Sequence, residues 1–330
     1  MKTKKLLHLI EKFTLSTSNI INNNFDNLEI NLQNATPSTL VFYNLSRNEQ
    51  AFELFEKRVK DKSYGAIIVN RDHPELKKFN NIIKVDNKNF LEVQRVISDV
   101  LFPIPKKLQI IGVTGTNGKT TTVSLANQIA CNAGRKSIAI GTLGTETSNN
   151  QTQKTHATTT PSYIDLRKIL FNSGSNLEFA FIEVSSHALE QNRLYDLKLD
   201  LAAWTNFTQD HLDYHKNMET YFNSKLKIFE IGRVDNFELL LPSSEGDLID
   251  MIPNRLKSFI KVVENIPVLS NFPLFLQADY NKANLTLAYK LSEKLLIDVG
   301  TVDLTTLIPP TGRFQVFDYK KSKIIIDYAH

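Results

Sequence analysis

The rhythm of apolar and polar positions changes near residue 105. Beyond it, short apolar runs alternate with stretches of helical spacing. The runs at 108–113, 136–140, 178–184, 200–206 and 237–241 read as strands. The stretches at 119–133, 162–172, 217–230 and 281–296 read as helices. Strands alternating with helices predict a mostly parallel sheet flanked by helices. Before residue 105 the pieces are smaller. Residues 4–13, 48–58 and 89–101 have helical periodicity, and 39–43, 65–69 and 82–85 read as strands. Asn-rich loops such as Asn22-Asn23-Asn24 separate them, and Pro103 and Pro105 mark a boundary. The expectation is an α/β protein with a small N-terminal α/β domain over 1–104 and a central domain over 105–309. At the end, 314–319 and 323–328 predict a hairpin around 320–322. The sequence stops at His330, in what reads as a strand-to-loop junction, so 310–330 is expected to be the start of a truncated further domain.

The predicted strand at 108–113 runs into GVTGTNGKTTT (112–122), and a predicted helix follows. Strand, glycine loop and helix together are the context of a phosphate-binding loop. Glycines let successive backbone N–H groups turn toward one point, and the helix N-terminus adds partial positive charge there. Lys119 can reach the β- and γ-phosphates, and the Thr120 hydroxyl can ligate Mg²⁺. Gly115, Thr116, Asn117, Gly118 and Thr121 complete the candidate nucleotide set. Val123, Ala126, Ile129 and Ala130 fall on one helical face, and Gly134 suits the residue just past the helix end. The usual motif has glycine where Val113 stands; a turn that only joins strand to helix is the alternative.

Composition narrows the class. The chain has 330 residues, enough for two or three domains. It is 42% hydrophobic and 22% charged, as a soluble globular protein is. Net charge is only +4, and the densest basic runs, at 2–5 and 320–323, are short. No nucleic-acid groove is expected. Cys131 is the one cysteine, so no intrachain disulfide forms, which fits a reducing compartment. No apolar run approaches the roughly 18 residues of a membrane span. The N-terminal basic segment lacks a signal-peptide core. The expected setting is cytoplasmic, with no membrane insertion.

Ligands of parallel sheets gather beyond the carboxyl ends of the strands. There lie Gly141-Thr142-Leu143-Gly144, Glu183-Val184-Ser185-Ser186-His187 and 206–211, beside the phosphate loop. Glu183 suits Mg²⁺, which prefers oxygen ligands and substrate phosphates. His211 could ligate a metal while Asp210 or Asp213 orients its other nitrogen. His187 reads equally as a site residue or a structural one, and His215 as a surface residue. Thr160 and Pro161 suit the N-cap and first position of the helix at 162–172, and an anion contact there is an equal reading. Lys225 by itself reads as a solvated helix lysine.

Together these segments resemble the Mur ligase family, of the MurE type. Those enzymes add the third residue of the peptidoglycan stem peptide to UDP-N-acetylmuramoyl-L-alanyl-D-glutamate. The resemblance rests on GVTGTNGKTTT (112–122), GTLGT (141–145), TTP (159–161), EVSSHALEQNRL (183–194) and TNFTQDHLDYHKNMETYFNSK (205–225). ADYNKANLTLA (278–288), GRFQV (312–316) and IIDYAH (325–330) extend it. It implies an ATP-binding central domain, an N-terminal domain like those that bind the UDP substrate, and a C-terminal Rossmann-like domain that is largely absent. Ala278 stands where the family has Gly, and 32–38 match its uridine segment only loosely.

The resemblance also implies roles. Lys119 would hold the ATP phosphates; Thr120 and Glu183 would hold one Mg²⁺ and His211 a second. Lys225 would be carbamylated by CO₂, giving an anion whose two oxygens can ligate or orient Mg²⁺ and adding it to the metal set, which reverses its bland reading; Lys119, His211 and Lys225 are thus the catalytic candidates. Thr159, Thr160, Ser185, Gln191 and Arg193 would contact the UDP-muramoyl-dipeptide, and Asn281, Asn284, Arg313 and Asp327 the nucleotide. The implied partners are small molecules: ATP, the UDP-dipeptide, and diaminopimelate or lysine, acted on by a monomer. The alternatives are a related folyl-polyglutamate synthetase-like ligase and a truncated nucleotide-binding protein without ligation.

Overall fold

Runs of β-branched and aromatic residues build separate sheets in the two units into which the chain divides, Met1–Ile104 and Pro105–His330. The structure, a computed structural model, describes residues 1–330 except 22, 47–49, 148–151, 154–155, 234–236, 321 and 329–330. Parts of the expected helix 48–58, the Asn22–Asn24 loop and the 320–322 turn lie outside the described residues, as do Ala329 and His330 of IIDYAH.

In the first unit, helix α1 (Thr3–Ile10) precedes strands β1 (Thr14–Thr17), β2 (Asn27–Glu29) and β3 (Thr39–Tyr43). Helix α2 (Gln50–Val59), strands β4 (Ala66–Val69) and β5 (Ile82–Val85) and helix α3 (Phe90–Leu101) follow. The sheet order is β1-β5-β4-β3-β2. β2 to β5 pair in parallel, and β1 runs antiparallel against β5. The sequence pattern misses β1 and β2. Their apolar content is low, and β1 is mostly exposed at the sheet edge, where only pairing with β5 keeps it extended. Between strand ends, buried Asn70 donates to Asn44 and Asn87 and accepts from Leu45 N at 2.7 Å. The segment compared with a uridine site is a 3₁₀ turn at Leu32–Asn34, with Asn31 bonded to Gln33 N.

The second unit carries β6 (Gln109–Thr114), α4 (Lys119–Asn132), β7 (Ser137–Gly141), β8 (Gly144–Glu146), β9 (Thr152–Gln153), α5 (Tyr163–Asn172) and β10 (Phe179–Glu183). Next come α6 (Ser186–Glu190), β11 (Leu201–Trp204), α7 (Leu212–His215), α8 (Met218–Leu226) and β12 (Glu238–Pro242). Then follow α9 (Gly246–Met251), β13 (Ile260–Val263), α10 (Asp279–Lys294) and the hairpin β14 (Gln315–Tyr319) and β15 (Ser322–Ile326). Among the described residues the sheet order is β13-β12-β11-β6-β10-β7-β8-β9. The strands from β13 to β7 pair in parallel, and β8 and β9 add an antiparallel edge.

β6, β10 and β11 lie inside the sheet with both faces covered, so their sequences are continuous apolar runs rather than alternating ones. Helix α4 is buried from Thr120 to Ala130, not on one face as its spacing suggests, because it lies between the sheet and α10. Its inward polar groups are matched. Thr122 Oγ1 donates to Asn284 Oδ1, Ser137 Oγ to Asn127 Oδ1, and Gln128 exchanges two 3.0 Å bonds with the backbone of Ile308. Gly134, with φ +75°, follows the helix end as expected.

Two boundaries need correction. Helix α5 starts at Tyr163, and its cap is Ser162, bonded to Asp165 N, not Thr160. The hairpin's second strand is Ser322–Ile326, not 323–328, because in-register pairing with β14 ends at Gln315 opposite Ile326.

Candidate active site

The phosphate loop leaves β6 at Thr114 and enters α4 at Lys119. Gly115 has φ +141° and Gly118 φ +81°. A Cβ on Gly115 would collide with Thr205 Oγ1, and one on Gly118 with Asn284 Oδ1, so both glycines are required by close approach as well as by backbone angle. The loop is laced to the segment after β11. Thr116 N donates to Asn206 O at 3.1 Å and Asn117 N to Asn206 Oδ1 at 2.9 Å. Thr116 Oγ1 donates to Thr208 O and accepts from Thr208 N, while Thr205 Oγ1 donates to Asn117 O. The loop's shape is therefore set by residues about 90 positions away.

Lys119 Nζ donates to the carbonyls of Gly115, at 2.8 Å, and Thr116, at 2.6 Å. Burial lowers its pKa; Glu183 and Asp210 oppose that, and Arg313 adds to it. A cavity of about 420 Å³ opens over the loop. Residues 116–121 form its floor, with Thr142, Glu183 and Asn206 beside them. Tyr280, Asn281, Asn284, Arg313, Phe314, Asp327 and Tyr328 make its other wall. Asn284 Nδ2 donates to Asn281 Oδ1, whose own Nδ2 is held by Phe275 O. Arg313 donates to Tyr328 O at 3.1 Å and lies 5.4 Å from that ring. A cavity with backbone amides and a lysine at one end and aromatic and amide side chains at the other fits a nucleoside triphosphate.

Glu183 ends β10 and is 1% exposed. Thr142 holds both of its oxygens: the backbone N–H donates to Oε1 at 2.8 Å and the hydroxyl to Oε2 at 3.1 Å. Gly141 has no room for a Cβ because Glu183 lies against it. Burial raises the Glu183 pKa, while Lys119, Thr142 and the Thr120 hydroxyl oppose the rise. Among the described residues, no group of three or more His, Cys, Asp or Glu side chains gathers as for a metal ion. One carboxylate with one hydroxyl beside a phosphate site nonetheless fits Mg²⁺, which takes few protein oxygens and completes its shell with phosphate and water.

Lys225 is 1% exposed, and its Nζ donates to Gly115 O at 2.8 Å, the same carbonyl that Lys119 uses. The expectation of a solvated helix lysine is overturned, because α8 packs this face inward. Burial pushes the Lys225 pKa well down; Lys119 lowers it further and Asp210 pulls it back. His211, left-handed at φ +52°, has Nε2 3.4 Å from Asp210 Oδ2. Burial lowers its pKa, against the pull of Asp210, with Lys119 and Lys225 adding to the drop. Lys119 is the link among the four: it shares Gly115 O with Lys225 and its charge acts on Glu183 and His211, and of the four Lys119 and Glu183 line the cavity.

His215 is not a surface residue. It is 2% exposed, 2.9 Å from Ser186 Oγ, and packed against Tyr221. Helix α7 is too short for helical periodicity to have shown which way it points. His187 lies at 5.0 Å from the His211 ring and 4.0 Å from Tyr214.

The remaining candidates form a chain of hydrogen bonds along the same rim. Thr142 Oγ1 is 3.2 Å from Thr159 Oγ1. Thr160 Oγ1 donates to Glu183 O at 2.7 Å and receives Ser185 N at 3.0 Å. Ser185 Oγ accepts from Ala188 N, capping α6. Arg193 donates to Thr160 O at 2.6 Å and clasps Gln191 Oε1 through two nitrogens. The sequence places Thr142 on the rim without a role of its own, and it does not mark Tyr221 or Tyr280. Thr142 alone had a signal, its place at a strand's carboxyl end; the other two are set by helix orientation.

A family profile described as the Mur ligase middle domain matches residues 113–316. A UDP-N-acetylmuramoyl-L-alanyl-D-glutamate–2,6-diaminopimelate ligase of Geobacillus thermodenitrificans is 33% identical over 92% of this chain and 67% of its own length. The ligase of the same name from Clostridium perfringens is 30% identical over 76% of this chain and 57% of its own. A solved structure bearing that ligase name superposes with a TM-score of 0.71 at 22% identity, covering 93% of this chain and 67% of that one. The chain thus spans between 57% and 67% of the length of these relatives. With a profile match across most of the second unit and a one-third-identical relative along nearly the whole chain, this protein belongs to the Mur ligase family.

Proposed function

We propose that this chain binds ATP and UDP-N-acetylmuramoyl-L-alanyl-D-glutamate and serves the ATP-dependent addition of a diamino acid, in peptidoglycan synthesis. The relatives' names favour 2,6-diaminopimelate as that amino acid. The observation that carries the reading is the shared position of Lys119 and Lys225 on Gly115 O, beside Glu183 and a nucleotide-sized cavity.

The reaction has two steps. A γ-carboxylate oxygen of the D-glutamyl end attacks the γ-phosphorus of ATP. A P–O bond forms, the bond to the β-phosphate oxygen breaks, and ADP leaves. The amine of the diamino acid then attacks the acyl carbon; a C–N bond forms, phosphate leaves with its electron pair, and the amine gives up a proton. The chain's part is positioning and charge neutralisation. Loop amides 115–121 and Lys119 hold phosphate oxygens, and Asn281, Asn284, Arg313 and Asp327 hold the nucleoside. Thr159, Thr160, Ser185, Gln191 and Arg193 orient the acceptor. Thr120 and Glu183 would hold one Mg²⁺ and His211 a second, and the ion supplies neutralisation of phosphoryl charge. Lys225 is the proposed carbamate: its neutral amine adds to the carbon of CO₂, an N–C bond forms and a proton leaves. Its burial against a carbonyl rather than a carboxylate supports that reaction, which needs the free amine.

The test uses this chain with ATP, the UDP-dipeptide and hydroxylamine, which traps an acyl phosphate as a hydroxamate. The expected result is hydroxamate that requires both substrates and is lost in Lys119→Ala. ATP turnover that ignores the UDP-dipeptide, or no hydroxamate from a chain that binds both ligands, would refute the reading.

A further inference from the structure

Tyr221 is among the largest fully buried side chains, 1% exposed, and the ligase reading gives it no part. Its hydroxyl lies 3.3 Å from Thr116 Oγ1. Thr116 donates its single hydroxyl hydrogen to Thr208 O at 3.1 Å and accepts from Thr208 N at 3.0 Å. A threonine hydroxyl has one hydrogen and two lone pairs, so the remaining lone pair takes the tyrosine hydrogen. Tyr221 is the donor.

Lys225 follows four residues later on α8, on the same helical face. Its Nζ lies 4.7 Å from the Tyr221 ring centroid and donates to Gly115 O. One helix therefore reaches two consecutive residues of the phosphate loop, Lys225 at Gly115 and Tyr221 at Thr116. Phe207 and His215 pack against the ring in tilted contacts, at 5.3 and 5.2 Å between centroids. They fix its plane, and the hydroxyl contact fixes how far it reaches.

We propose that Tyr221 is the positioning residue for Lys225: its hydroxyl anchors the ring to Thr116, and the ring holds the lysine nitrogen against the phosphate loop. The proposal rests on the ligase reading above. Tyr221→Phe tests it, since the ring stays and only the anchor goes. Three quantities are compared with the unaltered chain: ¹³C-labelled CO₂ held at Lys225 by NMR, hydroxamate turnover, and the KM for ATP. The expected result is turnover down about tenfold, which is roughly 1.4 kcal/mol, with a weakened or broadened label and an ATP KM within twofold. Tyr221→Leu, which loses the ring as well, should lose the label altogether. Unchanged turnover and label in Tyr221→Phe would overturn the proposal. So would a turnover loss with an intact label and a raised ATP KM, which would assign Tyr221 to the loop alone. If the unaltered chain holds no label yet turns over, the carbamate fails and this proposal with it. If it does neither, the ligase reading itself has failed.

Discussion

Gly115→Ala probes the phosphate loop where its shape is most constrained. The backbone there has φ +141°, a region that side-chain-bearing residues rarely adopt, and holding alanine in it costs about 1–3 kcal/mol. The new methyl would also meet Thr205, with the Cβ and backbone N of that residue both 3.1 Å away and its hydroxyl closer still. Thr205 cannot simply step aside. Its N–H donates to Thr114 O at 2.9 Å, and its hydroxyl is committed to Asn117 O. Overpacking of this kind costs about 1–3 kcal/mol. The sum, about 2–6 kcal/mol, should lower the Tm of the second unit by at least about 4 °C. Because Asn117 and Thr116 are tied to the same strand end, ATP affinity should fall with it. Gly246→Ala is the control: nothing lies within 4 Å of its added Cβ, and it begins a helix. That change should be neutral or stabilising by roughly 0.4–1 kcal/mol. Calorimetry and ATP titration read both variants. A Gly115→Ala chain melting within 1 °C of the parent, with unchanged ATP affinity, would show that the loop is not pressed against Thr205.

Glu146 accepts from Ser124 Oγ at 2.9 Å, and burial raises its carboxyl pKa above the ordinary 4.5. Between those two values the folded chain holds the extra proton, so its stability falls as pH rises through the window. Glu146→Gln should therefore melt higher than the parent at pH 7, with the gap closing near pH 4.5; an unchanging gap would contradict this. Arg193→Ala removes charge-assisted bonds to Thr160 O and Gln191, and steady-state kinetics should show KM for the UDP-dipeptide up about tenfold or more with KM for ATP unchanged. The reverse pattern would place Arg193 on the nucleotide. On the hairpin, Phe317, Ile324, Ile325 and Ile326 are about half exposed, with apolar groups on both faces. Exposed apolar strands at a sheet edge invite association, so Ile325→Lys should reduce concentration-dependent self-association in sedimentation; equal behaviour of the two chains would count against it.

The second unit was legible because its strands are buried on both faces. Phe179-Ala180-Phe181-Ile182 and Leu201-Ala202-Ala203-Trp204 are apolar runs with no competing periodicity. The elements that escaped are those held by partners rather than by their own composition. β13, Ile260–Val263, is only partly covered at the edge of the sheet, and β8 and β9 extend the other edge with polar residues. Helix boundaries moved for a similar reason. Thr160 had the chemistry of a cap, but its hydroxyl is taken by Glu183 O, and Ser162 caps instead.

The site divides along the same line. Glycine, lysine and threonine at 115–120 announce phosphate chemistry through local spacing alone, because one strand-loop-helix unit contains all the groups involved. Lys225 announces nothing by itself. What makes it unusual is that Gly115, 110 residues earlier, offers one carbonyl to two lysines. Two ammonium groups on one acceptor in a buried site repel each other, so the arrangement favours a neutral amine on one of them. Lys119 has Glu183 and Asp210 to support its charge, whereas Lys225 has Asp210 alone. Burial lowers both pKa values, that of Lys225 well down, so the balance of neighbours favours the proton at Lys119 and the free amine that the proposed carbamate needs at Lys225. That division of labour is a property of tertiary distance, and a linear pattern could point to it only through resemblance to chains that already share it.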